Sequence, residues 1–293
     1  MFELNRTQAR WAFKDLLGQA NHFLITILVG LDGVRTEKVE LSPEFRTSWN
    51  PQSISRSADR SRVFVLDLAL IRAIDALDTY MMMSARKPSS LSTSDFRAAM
   101  DGSRRSVANR FDAFDEHLSA LPPQHKAILS IAIEWRNQRV HSLSSDPIEK
   151  KTLRVVRDNA EFFKSGYSGL DVDDFISHFK SREAPTFKEA ASVIRLTHEA
   201  VAHYDAELLQ NLPIERYLKE ALLKFLETDN PNPISSIQKT WDHPEKKRIK
   251  VIRLLRMIGV NQTDAIKGRL VPDKFVDELV GLKSGEVLGY LQS

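Results

Sequence analysis

The chain has 293 residues, enough for one large domain or for a main domain with a smaller second one. Its net charge of only +3 permits a polyanionic partner, but any binding surface must come from local clusters of basic residues. The complete absence of cysteine excludes disulfides, thiol catalysis and cysteine-ligated zinc, and it is typical of a reducing cytoplasm.

The sequence shows neither a membrane anchor nor an export signal. Its longest apolar run, residues 23–31, falls short of the roughly 18 residues that span a bilayer. No basic flank precedes an apolar stretch near the N-terminus, and no small-residue cleavage site follows one. We therefore expect a cytoplasmic protein without a membrane partner.

Apolar residues recur at helical spacing along most of the chain. Residues 5–31 are predicted to form one long helix or two short ones. The other predicted helices cover residues 63–85, 96–121, 124–141, 147–164, 172–179 and 186–210. A long polar loop is predicted at 43–61. Ser92 and Asp95, Asp146, and Thr186 with Glu189 have the spacing of helix caps. Because no stretch alternates with period two, the predicted fold class is all-α.

Prolines at 213, 231 and 233 mark a change of organisation, so we predict a helical domain over residues 1–211 and a smaller helical domain over 212–293. In the latter, basic residues between Lys246 and Arg256 surround an apolar stripe, and a turn is predicted at 259–262. This pattern fits a helix-turn-helix-like contact with nucleic acid, or a basic amphipathic helix that docks on its own protein.

A zinc-protease motif is excluded by spacing. His198 and His203 flank a glutamate, but they are five residues apart instead of four, which separates them by about 140° around a helix. The sequence also lacks a calcium-binding loop and any Gly-rich nucleotide-binding loop. We therefore predict no metal site and no cofactor.

One stretch, residues 135–141, combines an arginine, an asparagine and a histidine at the end of a predicted helix. Arg136 offers a permanent charge and a planar fork suited to phosphate. Histidine as a residue type titrates near neutral pH, which makes His141 a candidate for proton transfer. Asn137 and His141 are four residues apart and so lie on one helix face. RNA can be cleaved when its own 2′-OH attacks the adjacent phosphorus atom. That reaction needs a base, an acid and a fixed cation, which residues of these types can provide.

The spacing of arginine and histidine alone carries almost no information. With 24 arginines, 10 asparagines and 8 histidines in the chain, however, Arg-Asn-x-x-x-His is expected only about 0.02 times by chance. Asn137 is therefore the position that makes the pattern informative.

Arg136-Asn137-x-x-x-His141, in a helical chain, resembles the R-N-x-x-x-H motif of HEPN-domain ribonucleases. The resemblance covers roughly residues 1–211 and implies a HEPN-like helical bundle with Arg136, Asn137 and His141 as catalytic residues. It also implies metal-independent endoribonuclease activity at a cleft formed by a homodimer. Such proteins are commonly bacterial toxins or antiviral abortive-infection effectors, so a cognate inhibitor or a defence-system partner protein is a further expectation.

Four more arginines are candidates for RNA binding: Arg104, Arg105 and Arg110 before the motif, and Arg139 within it. Two alternatives remain open for the chain as a whole, a non-catalytic nucleic-acid-binding regulator built around residues 246–256 and an interaction scaffold of a defence system. For residues 135–141, the alternative is a structural helix end, in which Arg139 and His141 bind the terminal carbonyls.

Overall fold

The computed structural model describes residues 1–39, 42, 44, 49, 51–91, 93–141, 147–228 and 232–293. These residues are mostly helical and include a small three-stranded sheet. The strands are β1 (Phe2–Leu4), β2 (Val260–Gln262) and β3 (Arg269–Val271). The helices of the first half are α1 (Gln8–Leu17), α2 (Ala20–Arg35), α3 (Ile54–Ala85), α4 (Ser94–Gly102), α5 (Val107–His117) and α6 (Pro123–Val140). Those that follow are α7 (Lys150–Asp158), α8 (Ala160–Gly166), α9 (Val172–Ser181), α10 (Phe187–Gln210), α11 (Ile214–Thr228), α12 (Pro233–Trp241), α13 (Lys247–Met257), α14 (Asp273–Gly281) and α15 (Val287–Gln292).

The chain forms two compact units that are interleaved in sequence. The first comprises Met1–Phe13, Asp78–Ser119 and Val201–Ser293, and the second comprises Lys14–Leu77 and Ala120–Ala200. Helices α1, α3 and α10 each contribute residues to both. The predicted division into domains at residues 211 and 212 stays a prediction.

The sheet lies in the first unit and corrects the prediction that the fold is purely helical. β1 is its central strand and pairs antiparallel with both β2 and β3. The carboxylate of Glu3 also accepts hydrogen bonds from the backbone N–H groups of Lys267 (2.7 Å) and Gly268 (3.0 Å). Strands of three residues are too short to show a period of two, which is why the sequence pattern did not reveal them.

The core of the first unit joins the N-terminal strand to the C-terminal helices. Leu4 of β1 is buried in the same cluster as Leu218 of α11, Trp241 of α12, Leu255 of α13 and Phe275 of α14. Residues 260–262, predicted as a turn, form β2 instead. Since both β2 and β3 separate α13 from α14, the predicted helix-turn-helix arrangement is absent from this described part of the chain.

The second unit is built around α6. This helix buries Ile128, Ile131 and Trp135 completely or almost completely, and its apolar residues extend around most of its circumference, as expected of a helix enclosed by others. The indole ring of Trp135 packs edge-on against Phe175 of α9, with ring centroids 5.1 Å apart. Trp135 therefore fixes the rotation of the helix turn that carries the motif.

Helix caps explain several boundaries. Thr186 and Glu189 form the predicted capping box, since the Thr186 N–H donates to Glu189 Oε2 (2.6 Å) and the Glu189 N–H donates to Thr186 Oγ1 (3.4 Å). Thr93 caps α4 by accepting from the Phe96 N–H, whereas Ser92 and Asp146, the other predicted caps, lie outside the described residues.

Two predicted helix ranges and one predicted loop need correction. The range 96–121 is divided into α4 and α5, with Arg104 between them at a left-handed φ of 51°. The range 147–164 begins only at Lys150 and is interrupted at Asn159. The predicted loop at 43–61 ends earlier, because α3 begins at Ile54.

One stretch of the described chain, Gln8–Arg35, is long and apolar enough to cross a membrane, by length and composition only. The expectation that no segment meets this test was therefore wrong. The stretch consists of α1 and α2, in which Leu17, Leu24 and Leu28 are buried. Most residues of the stretch are exposed or half-buried, with Phe23 and Val29 of α2 at 60% and 66% exposure. A single such helix is weak evidence for a membrane span.

The sheet yields a direct test. A Cβ added to Gly268 would lie 2.3 Å from the carbonyl oxygen of Leu4, whereas a Cβ on Gly285 would meet nothing within 4 Å. Because backbone of β1 must move to relieve this clash, we expect Gly268→Ala to lower the free energy of unfolding by about 1–3 kcal/mol. The matched Gly285→Ala variant should change it by less than about 0.5 kcal/mol. Urea unfolding followed by circular dichroism measures both, and equal stability of the two variants would contradict the observed pairing of β1.

Candidate active site

The motif lies on the last turn of α6 and in the residue that follows it. Trp135 points inward, is fully buried, and donates its indole N–H to the carbonyl of Glu183 (3.0 Å). Successive residues on a helix are turned by about 100°, so Arg136 and Asn137 lie about 100° and 160° from the indole, whereas Arg139, four residues on, lies within about 40° of it. All three side chains are half-buried.

Arg136 is held by an aspartate of α3. Its Nε–H and one Nη2–H donate to Asp75 Oδ1, at 3.0 and 2.5 Å, and one Nη1–H donates to Asn137 Oδ1 at 3.3 Å. An arginine has five N–H groups. One N–H on each of Nη1 and Nη2 is thus left without a partner among the described residues, and these two groups are able to donate to phosphate oxygens.

Asn137 contacts Arg136 through its side chain and His141 through its backbone. The side-chain amide accepts from Arg136 and donates to Glu134 Oε2 at 3.4 Å. The backbone carbonyl accepts the His141 N–H at 2.8 Å, which closes the last turn of α6. The Asn137 amide therefore positions the guanidinium group rather than the imidazole ring.

Arg139 makes a bidentate pair with a second aspartate of α3. Its Nε–H and Nη2–H donate to the two oxygens of Asp67 at 2.7 and 2.5 Å, and its Nη1–H donates to the Arg182 carbonyl at 2.5 Å. This carbonyl belongs to the residue after α9, whose left-handed backbone ends that helix. Arg139 therefore ties α6 to α3 and to the end of α9, which argues against its predicted role in RNA binding.

His141 is the first residue beyond α6 and has an extended backbone (φ −121°, ψ 99°). Its side chain is exposed and makes no hydrogen bond to another of the described residues. The motif therefore presents a fixed arginine and a solvent-accessible histidine at one helix end, in contrast to the alternative in which His141 binds the terminal carbonyls.

The other three predicted RNA-binding arginines belong to the first unit, whereas the motif belongs to the second. Arg104 and Arg105 are exposed. Arg110 is only 5% exposed, pairs with Asp78 through Nε and Nη2 (2.6 and 2.8 Å), and donates from Nη1 to the Arg104 carbonyl. A guanidinium group engaged in this way stabilises the bend between α4 and α5, so the structure argues against Arg110 as a phosphate ligand.

A hydrogen-bonded network that the sequence did not reveal lies at the opposite end of α6. The Tyr167 hydroxyl donates to Glu199 Oε2 at 2.6 Å and lies 2.9 Å from His125 Nε2, while Arg195 Nε–H donates to Glu199 Oε1 at 2.9 Å. Burial raises the pKa of Glu199, but the bonds from Tyr167 and Arg195 outweigh burial and lower it overall. Burial and the neighbouring Glu199 carboxylate raise the pKa of Tyr167. No local pattern joins residues 125, 167 and 199, so only the fold brings them together.

The two histidines of the excluded zinc motif have separate surroundings. His203 Nε2 lies 2.8 Å from the Ser119 carbonyl oxygen, in the first unit, whereas His198 belongs to the second unit. Among the described residues, no group of three or more histidine, aspartate or glutamate side chains is arranged to hold a metal ion.

Comparisons of the chain with protein-family models, with curated proteins and with solved structures found no match. The case for a function therefore depends on the motif and on its geometry.

The Arg139–Asp67 pair predicts a measurable coupling. Its side chains are 24% and 16% exposed, whereas those of the pair Arg154–Asp158 on α7 are 83% and 63% exposed. A double-mutant cycle of Arg139→Ala and Asp67→Ala should give a coupling free energy of about 1–3 kcal/mol. The same cycle on Arg154 and Asp158 should give less than about 0.5 kcal/mol, because solvent screens that pair. Equal couplings would mean that Arg139 does not anchor the motif.

Proposed function

We propose that this protein is a metal-independent endoribonuclease of the HEPN type that acts as a homodimer. The observation that carries the proposal is a contrast within the motif. Arg136 is fixed by Asp75 and Asn137, yet two of its N–H groups have no partner among the described residues. His141, five residues later, is exposed. A fixed cation and a solvent-exposed proton carrier are what phosphodiester cleavage by an internal nucleophile requires.

In the proposed reaction, the 2′-hydroxyl oxygen of RNA attacks the adjacent phosphorus atom while a base removes its proton. The bond from phosphorus to the 5′-oxygen breaks, and an acid protonates that oxygen. The products are a 2′,3′-cyclic phosphate and a 5′-hydroxyl. Arg136 stabilises the negative charge on the phosphoryl oxygens, Asn137 positions Arg136, and His141 transfers the protons.

One chain provides one motif histidine, whereas the reaction uses both a base and an acid. A two-fold interface would bring two His141 and two Arg136 side chains into one groove, because such an interface presents the same surface of each protomer. This requirement, together with the resemblance of the motif, is the chemical reason for proposing a homodimer.

Exposed apolar side chains near the motif support such an interface. Phe64 and Leu68 are 62% and 45% exposed and flank Asp67, the partner of Arg139, along α3. Val140, next to His141 on α6, is 43% exposed. Since large apolar side chains clustered on a surface mark contact sites, we propose that this patch of Phe64, Leu68 and Val140 packs against its equivalent in the second copy.

The biological setting completes the proposal. We propose a cytoplasmic bacterial toxin or antiphage effector that acts on RNA, with a cognate inhibitor or another defence protein as its partner. The support is the resemblance of the motif to proteins of that kind.

The first prediction concerns the catalytic histidine. With EDTA present, the wild-type protein should cleave single-stranded RNA and leave 2′,3′-cyclic phosphate ends, and His141→Ala should lower the rate at least 100-fold. His22→Ala, which removes an exposed histidine of α2, is the matched control and should retain activity. The readout is gel analysis of labelled RNA with enzymatic end-group analysis. Equal activity of the wild type and His141→Ala, or no cleavage of any RNA offered, would reject the proposal.

The second prediction concerns the dimer. Phe64→Glu should place charge in the proposed interface, convert the dimer to a monomer and abolish cleavage. The matched control is Ile234→Glu, because Ile234 of α12 is 64% exposed and should tolerate the change without effect on mass. Light scattering coupled to size exclusion gives the mass of each variant. A monomeric wild-type protein that cleaves RNA would contradict the proposed arrangement.

A further inference from the structure

The outer face of α13 is strongly basic. Residues 246–256 include six basic residues and no acidic residue. At about 100° per residue, Lys250, Arg253 and Met257 fall along one line of the helix, with Lys246 immediately before it. The opposite side carries Val251 and Leu255, which are buried in the core of the first unit. The basic line therefore faces solvent, and we call Lys246, Lys250, Arg253, Arg256 and Met257 the α13 face.

The charges of the α13 face have no carboxylate partners among the described residues. Lys250 donates to the Lys239 carbonyl, and Arg256 Nη2–H donates to Gln262 Oε1 at 3.3 Å. Both acceptors are neutral, so neither cation is offset by a negative charge there. Lys246 and Arg253 make no side-chain hydrogen bond or ion pair within the described residues. Four cations on three helix turns repel one another. A polyanion bound along this line would remove that repulsion.

A shallow, open depression on the α13 face adds apolar contact to this charge. Its volume is about 400 Å³, and its lining combines Lys250, Arg253 and Arg256 with Thr240, Leu254 and Met257. Met257 is 68% exposed. Phosphate oxygens bound by the cations would place an unstacked base against the apolar part of the lining. Only a single strand has bases free to enter such a space.

We propose that the α13 face binds the backbone of single-stranded nucleic acid, with RNA as the natural ligand. The choice of RNA rests on the proposed function, whereas the choice of a polyanion rests on the charges of this helix. A membrane with anionic lipids is a poorer fit, because amphipathic helices enter lipid through a broad apolar face. That face of α13 is already buried in the core. The binding surface is distinct from the Arg136–His141 motif, which belongs to the second unit.

The test uses the full chain carrying His141→Ala, so that the RNA stays intact. Lys246→Gln/Arg253→Gln removes the two side chains that have no partner within the described part of the chain, so folding should be unaffected. The matched control, Lys164→Gln/Lys180→Gln, removes two exposed lysines of α8 and α9 and lowers the net charge equally. Fluorescence anisotropy with a labelled 20-nucleotide oligo(U) gives the affinity between about 50 and 200 mM salt. Vesicle co-sedimentation with anionic lipid is measured in parallel.

We expect Lys246→Gln/Arg253→Gln to weaken oligo(U) binding at least tenfold, and the control pair to weaken it less than threefold. The slope of log K against log salt should fall in magnitude by about 1.4, since two phosphate contacts are lost at about 0.7 each. Three results would overturn the inference: no binding of oligo(U), equal weakening by both pairs, or binding to vesicles but not to RNA.

The outcome separates this inference from the proposed function. Suppose that the parent protein with His141 intact cleaves RNA, while Lys246→Gln/Arg253→Gln leaves RNA binding unchanged. The proposal that the α13 face binds RNA is then wrong, and the ribonuclease proposal stands. If Lys246→Gln/Arg253→Gln loses RNA binding but the parent protein cleaves no RNA, the proposal that the α13 face binds RNA stands. The protein is then a nucleic-acid-binding regulator.

Discussion

Two arginine–aspartate pairs join the end of α6 to α3, and the geometry of the motif depends on them. Arg136 binds Asp75 and Arg139 binds Asp67. The later arginine of α6 thus pairs with the earlier aspartate of α3. Inside the unit, the buried Trp135 fixes the rotation of the same helix turn. With both the rotation and the position of this turn fixed, the guanidinium of Arg136 is pre-organised. In our proposal, it therefore loses little conformational freedom when it binds a phosphate.

The two arginines of the motif use their hydrogen-bonding groups differently. Arg139 donates from Nε and Nη2 to Asp67 and from Nη1 to the Arg182 carbonyl. Arg136 donates two N–H groups to one oxygen of Asp75 and a third to Asn137 Oδ1. In our proposal this makes Arg139 an anchor of the helix and Arg136 the ligand of the reacting phosphate. Arg136→Lys would keep the charge but lose the fork that both Asp75 and Asn137 hold.

Local patterns in the sequence predicted the helix that carries the motif and singled out Asn137, because both are encoded within about 20 neighbouring residues. They predicted the capping box of Thr186 and Glu189 for the same reason. They did not reveal the partners of Arg136 and Arg139, which lie 61 and 72 residues away. The sheet was missed likewise, because β1 meets partners more than 250 residues distant. Pairings over such separations leave no trace in periodicity or spacing.

The central claim is that two motifs form one active site, and mixing protomers tests it most directly. Wild-type and His141→Ala chains would be co-refolded at random in varied proportions, and RNA cleavage measured at constant total protein. If each site needs a histidine from both chains, activity falls as the square of the wild-type fraction, to about one quarter at an equal mixture. Activity that falls linearly, to about one half, would show that each chain works alone and would contradict the account.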